Sequence, residues 1–199
     1  MALHVRAIKS KIHSVGSIKK ITKAMELVAA SKMRRATQAA LATRDYATVA
    51  YSLLEDLARE RQDTRHPFLE VGRGSKTVLI IVSSHKGLCG GFNITLARQV
   101  SQFILQEGGA DRFGIVTVGR KAEWLARKIG APVLGSFIDF PDQISVYDLG
   151  GLMRLIFDEF SGTEYRDVIL AYNNYISAIS FAPVIRQILP VVPAMVRNA

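Results

Sequence analysis

VRAIKSKIHSVGSIKKITKAMELVAASKMRRATQAALATRDYATVAYSLLEDLARE, residues 5–60, runs without a proline and with a single glycine, Gly16. Its residues are mostly strong helix formers, so the stretch reads as one helix. At a rise of ~1.5 Å per residue that helix is about 80 Å long. The rest of the chain, about 130 residues, packs into a body with a radius of gyration of only about 14 Å. A helix longer than its own domain cannot be covered by that domain, and its exposed part calls for a partner.

Within the stretch, Ile8, Ile12, Val15, Ile18, Thr22, Met25, Ala29, Met33, Ala36 and Ala40 recur at threes and fours. The stripe is narrow, as in a coiled-coil seam rather than the broad apolar face of a globular helix. Large side chains come early and alanine later (Ala36, Ala39, Ala40, Ala42, Ala47, Ala50), so a partner helix is expected to approach most closely along the later part. A second apolar group, Tyr46, Val49, Leu53, Leu54 and Leu57, is expected to dock on the body.

The chain of 199 residues carries a net charge of +9. The excess is confined to residues 1–44, where Arg6, Lys9, Lys11, Lys19, Lys20, Lys23, Lys32, Arg34, Arg35 and Arg44 face one acid, Glu26. Charge this one-sided points to an acidic partner: nucleic acid, an anionic membrane or acidic protein surfaces. No stretch approaches ~20 apolar residues without a charge, which excludes a helical membrane span. The N-terminus lacks the apolar core of a secretory signal and makes a poor mitochondrial presequence, so a cytoplasmic setting is the default. A single cysteine, Cys89, excludes an intrachain disulfide framework or a cysteine zinc cluster.

Arg65-His66-Pro67-Phe68 is expected to end the helix, because proline disfavours helical geometry in the residue before it. This divides the chain into a helix over 1–65 and an α/β domain over 66–199. Thr77–Ser84 (TVLIIVSS) is a continuous β-branched run, the mark of a buried central strand. A helix over about Phe92–Gln106, a strand at Phe113–Val118 and a short helix at Lys121–Ile129 follow, the last with Trp124 and Leu125 turned inward. Val133–Ile138 reads as a strand, Val146–Ser161 as an amphipathic helix and Val168–Tyr172 as a fourth strand, continuing through Ile176–Phe181. Pro183–Leu189 is a last extended segment. This alternation argues a mainly parallel, Rossmann-like sheet with its last segments antiparallel at an edge. PVVPAMVRNA then follows the last strand directly, and no second long helix comes after it.

The loop Ser83–Gly91 (SSHKGLCGG) lies between strand and helix, where phosphate loops occur. It matches neither template: Lys86 precedes the glycines, and the spacing is G-x-x-G-G. Gly87, Leu88, Cys89, Gly90 and Gly91 are therefore read as a structural turn, with the glycines allowing a tight bend and close packing. Cys89 reads as a small buried apolar residue. His4, His13, His66 and His85 show no ligand spacing. Asp139 with Asp142, and Asp158 with Glu159, read as turn and helix-surface residues. The sequence supplies no nucleophile with a base and an orienting group, so no active site, metal or cofactor is expected.

Ile21–Arg35 (ITKAMELVAASKMRR) closely resembles the N-terminal helix of the gamma subunit of F-type ATP synthases. Arg6–Val15 (RAIKSKIHSV), Ser83–Asn93 (SSHKGLCGGFN) and Pro183–Pro190 (PVIRQILP) extend the resemblance over the whole chain. It implies a non-catalytic rotor whose N-terminal helix winds with a C-terminal helix into a shaft inside a ring of alpha and beta subunits. The family's C-terminal helix is not found here, so a second helix is expected in cis or in trans. His85-Lys86 stands where the family has Asp-Arg, and the paired-cysteine insertion of chloroplast forms is missing. Met25 matches a family methionine near acidic loops of the beta subunits, and Lys20, Lys23, Lys32, Arg34 and Arg35 flank it. The resemblance also implies an epsilon subunit and a c-subunit ring as partners, proton-driven rotation, and a peripheral place on the cytoplasmic face of the bacterial inner membrane. The alternative is a nucleic-acid binder using the basic helix; no aromatic residue interleaves with its bases between Arg6 and Arg35, which argues against nucleic acid as a partner.

Overall fold

The computed structural model of the chain describes residues 2–59, 66–141 and 144–191. The chain divides into two compact units, Met1–Ala50 and Tyr51–Ala199.

The first unit is helix. Helix α1 (Ala2–Arg59) runs unbroken for 58 residues, and its last turns belong to the second unit. Residues that could compete with the helical backbone are used inside it. Ser14, Thr22 and Thr48 each donate a side-chain hydrogen bond to the carbonyl four residues earlier, at 3.0, 2.9 and 2.9 Å. Gly16 has no atom within 4 Å of where a Cβ would sit, so packing gives it no advantage over alanine. The expected end of the helix at Arg65, and with it the boundary at 65/66, lies outside the described residues.

In the second unit five strands form one sheet: β1 (Lys76–Val82), β2 (Phe113–Val118), β3 (Val133–Phe137), β4 (Tyr165–Ser177) and β5 (Ser180–Leu189). Their order is β3-β2-β1-β4-β5, with the first four parallel and β5 antiparallel to β4 at the edge. The β-branched run recognised in the sequence is central, and both of its faces are covered. Leu79 and Ile81 point to the layer of α2 (Phe92–Gln106) and α3 (Arg120–Ile129), packing with Leu96, Val100, Ile104, Leu125 and Ile115. Val78 and Ile80 point the other way, to α4 (Gly150–Ser161) through Ile156 and Phe160. Two helices on one face and one on the other follow from right-handed crossovers in a sheet that winds outward from β1.

Several expectations are corrected. Trp124 does not face inward: it is 59% exposed, while Ala122, Leu125 and Ala126 form the buried stripe of α3. Small side chains let α3 lie close to β2, and the indole stays outside with Lys128 Nζ 5.2 Å from its ring centroid. The last two extended segments are one hairpin, in which β4 continues to Ser177 and β5 starts at Ser180. The helix expected from Val146 begins as a single 3-10 turn, Tyr147–Leu149, before α4. There Ser145 donates from both its amide and its hydroxyl to the Asp148 carboxylate at 2.7 Å, holding that carboxyl below the ordinary range. Of the apolar group expected to dock on the body, Leu54 and Leu57 line a pocket of about 500 Å³ with Phe68, Phe157 and Ile188. Tyr46 and Val49 fall in the first unit and are exposed. Asp142, one half of a carboxylate pair considered above, lies outside the described residues.

Candidate functional site

Two surfaces carry the residues singled out in the sequence: the outer faces of α1, and the loop after β1. On α1, at about 100° per residue, Lys20, Lys23, Arg34 and Arg35 fall within an arc of about 120°. Lys32 and Met25, the latter a member of the apolar stripe, lie about 60° and 80° beyond Arg35, so the six residues span an arc of about 200°. Lys23 pairs with Glu26 at 2.9 Å, both side chains about two-thirds exposed, and Arg35 Nη2 reaches Ser31 Oγ at 3.4 Å. Such pairs contribute at most about 1 kcal/mol each and leave the face basic.

The loop after β1 is held by side chains that the sequence reading passed over. Asn93, in the first turn of α2, accepts from the Ser84 amide at 3.2 Å and donates to Ser84 Oγ at 2.8 Å and to Cys89 Sγ at 3.1 Å. Ser84 Oγ in turn donates to the Lys86 carbonyl at 2.7 Å, and Ser83 Oγ accepts from the Ala122 amide at 2.6 Å. Asn173 of β4 donates to the Phe92 carbonyl at 2.8 Å, and Phe92 packs edge-on against Phe181. An asparagine directly after a glycine-rich loop was the signal available in the sequence, since its amide can bond backbone on both sides.

Cys89 is accordingly half-buried and in polar contact, not a buried apolar filler. The loop glycines provide the turn but not the expected close packing. Leu88 and Gly90 have positive φ, 61° and 58°, whereas a Cβ on Gly87 or Gly90 would meet nothing within 4 Å and one on Gly91 only a Thr95 methyl at 3.9 Å. Close approach occurs elsewhere. A Cβ on Gly114 would come within 2.8 Å of Tyr165 and Leu134.

The loop borders a groove of about 940 Å³ between α2 and α3, lined in part by Leu88, Ile94, Arg98, Lys121, Trp124 and Lys128. Among the described residues no histidine or carboxylate lines it, and Asn93 ties Ser84 and Cys89 together. Among the described residues no group of three His, Cys, Asp or Glu is placed to hold a metal ion. None of the described helices is long and apolar enough to cross a membrane.

A long exposed helix carrying an apolar seam and a basic face is followed in the chain by an α/β domain. Residues 4–198 match the family model described as ATP synthase, and the chain belongs to that family. Its relatives there are gamma chains. The ATP synthase gamma chain of Legionella pneumophila (strain Corby) is 34% identical over 187 residues, covering 93% of this chain and 65% of the relative. That of Burkholderia multivorans (strain ATCC 17616 / 249) is 36% identical over 188 residues, covering 94% and 65%. This chain therefore spans about two-thirds of the length of these relatives. Among solved structures, a chain of the Tetrahymena thermophila mitochondrial ATP synthase central stalk and c-ring is similar, with a TM-score of 0.68 and 26% identity over 85% of this chain and 72% of that one.

Proposed function

We propose that this chain is a non-catalytic rotor component of the central stalk of a proton-driven F-type ATP synthase. The observation that carries this is the likeness of 85% of the chain to a chain of the Tetrahymena central stalk and c-ring structure. The physical features agree. A shaft must be stiff, and α1 is continuous over 58 residues. It must also make and break contacts at each step, and exposed charges worth about 0–1 kcal/mol per pair suit that better than a deep pocket.

In this reading the basic face, Lys20, Lys23, Arg34 and Arg35, passes acidic loops of the beta subunits, and Met25 and Lys32 touch them at the seam border. The seam takes a second long helix, supplied in cis or in trans. The alpha subunits, an epsilon subunit and the c-subunit ring complete the partners, and the chain sits peripherally on the cytoplasmic face of the bacterial inner membrane. The loop Gly87–Gly91 serves as a structural turn.

The test is co-assembly with alpha and beta subunits, with a gamma-type C-terminal helix added in trans, assayed by ATPase activity of the isolated complex. An ATPase-active complex containing this chain is expected. Failure to assemble under those conditions overturns the reading. Gel-shift binding to nucleic acid that weakens steeply with salt would instead favour the basic helix as a phosphate grip.

A further inference from the structure

The groove between α2 and α3 is apolar within and cationic along its edges. Buried Leu96, Ile104 and Leu125 form its floor, and Ile94, Leu105 and Trp124 stand along it more than half exposed. Large apolar side chains gathered in one concave surface, rather than scattered singly, mark a place of association. As crossovers between parallel strands, α2 and α3 run in the same direction, so their lining residues make two stripes of helical pitch. On α2 the stripe is Ile94, Arg98, Ser101 and Leu105, at steps of four, three and four residues, about 16 Å from end to end. On α3 it is Lys121, Trp124 and Lys128, at steps of three and four, about 10 Å long.

Charge says what fits there. Outside residues 1–44 the acids and bases of the chain balance, yet α2 and α3 carry Arg98, Arg120, Lys121, Arg127 and Lys128 against Glu123 alone. Glu123 is already paired with Arg127. Arg98, Lys121 and Lys128 line the groove, and among the described residues none of the three is in a salt bridge. Lys128 instead lies over the Trp124 ring. The cations stand on both walls, and the two on α3 are about 10 Å apart. An anionic lipid with a single headgroup would meet one of them and strand the rest. A helix carries acids on both flanks of an apolar stripe, and acids at i and i+7 repeat at the same ~10 Å.

We infer that the groove receives an acidic amphipathic helix of roughly three turns from a partner protein. Its apolar stripe lies against Ile94, Leu105 and Trp124, and its carboxylates reach Arg98, Lys121 and Lys128. The inference goes beyond the rotor reading and uses none of the residues placed on the shaft. Failure of co-assembly would leave it standing, and an empty groove would leave co-assembly untouched.

Trp124 is the only tryptophan of the chain, so its emission reports this groove and not α1. The probe is a capped peptide of about 16 residues with leucine at every third or fourth position, glutamate on both flanks and alanine elsewhere. Titrated into the full chain, it is expected to shift Trp124 emission to the blue, saturating in the micromolar range and weakening as salt rises. The same peptide with lysine for glutamate should leave the emission unchanged. Reversing the three cations (Arg98→Glu, Lys121→Glu and Lys128→Glu together) should weaken the acidic peptide at least tenfold and admit the lysine peptide. All three side chains are exposed, so the sheet should keep its unfolding midpoint in that variant. No shift with the acidic peptide, equal shifts with both peptides, or a reversed variant that keeps its preference overturns the inference. A shift produced by decanoate and not by the acidic peptide also overturns it, and would make the groove a site for lipid anions.

Discussion

Isoleucine and valine have opposite fates in the two units. In β1, Val78, Leu79, Ile80 and Ile81 are covered on both faces, at 0–2% exposure. In α1, Ile8, Ile12, Val15 and Ile18 lie more than half in solvent. The same side chains stabilise the body by burial and leave the helix with an unused surface. Body residues are therefore answerable to folding, and helix residues to association. A substitution in one should be read in the unfolding curve, and in the other almost wholly in the complex.

The largest expected effect is in the sheet. Leu79→Ala removes a fully buried side chain from the layer under α2 and α3, and should cost about 2–5 kcal/mol in urea unfolding of the chain. A cost under 1 kcal/mol would mean the body is loosely packed, and the contrast between the units would fail. Next is Tyr165, buried beneath β2 with its ring against Gly114. Burial first, then the negative charges of Glu164 and Glu159, push its phenol up to about 12. The fold binds this proton more tightly than the unfolded chain does. The contribution is thus complete below about pH 10 and is lost as pH rises from there through about 12, amounting to on the order of 2–3 kcal/mol. Unfolding measured between pH 9 and 12 should show that decline, and Tyr165→Phe should flatten it.

The smallest effect belongs to the helix. Ile18→Ala at sub-micromolar concentration should change chain stability by no more than about 0.5 kcal/mol, since the side chain lies more than half in solvent and alanine is the better helix former. A loss comparable to that of Leu79→Ala would show that the seam is already covered in the free chain.

The features legible in the sequence were those set by periodicity. The bounds expected for α2 and β2 are the observed ones, Phe92–Gln106 and Phe113–Val118, because glycines and a switch from helical to alternating pattern mark their ends. The parallel order with an antiparallel edge was also readable. Trp124 was not, because hydrophobicity alone places tryptophan inside, while close packing on β2 favoured the alanines of α3. The reach of β4 was hidden by Asn173 and Asn174, polar residues that break the apolar run but sit in a hairpin, one of them bonded to the Phe92 carbonyl. On α1 the six chosen residues lie near one another in sequence, and on the helix they spread over an arc of about 200°. The Ser84–Asn93–Cys89 network was illegible because it depends on the fold of a loop, which no periodicity records.

Hydrogen exchange tests the contrast most directly. It is to be followed residue by residue in the free chain at sub-micromolar concentration and again after assembly with alpha and beta subunits and a second helix. Amides of β1 and β2 are expected to be protected in both states, while those of residues 8–40 exchange rapidly in the free chain and slow at least a hundredfold on assembly. Strong protection of residues 8–40 in the free monomer, or no change there on assembly, would contradict the reading of α1 as a surface completed only by its partners.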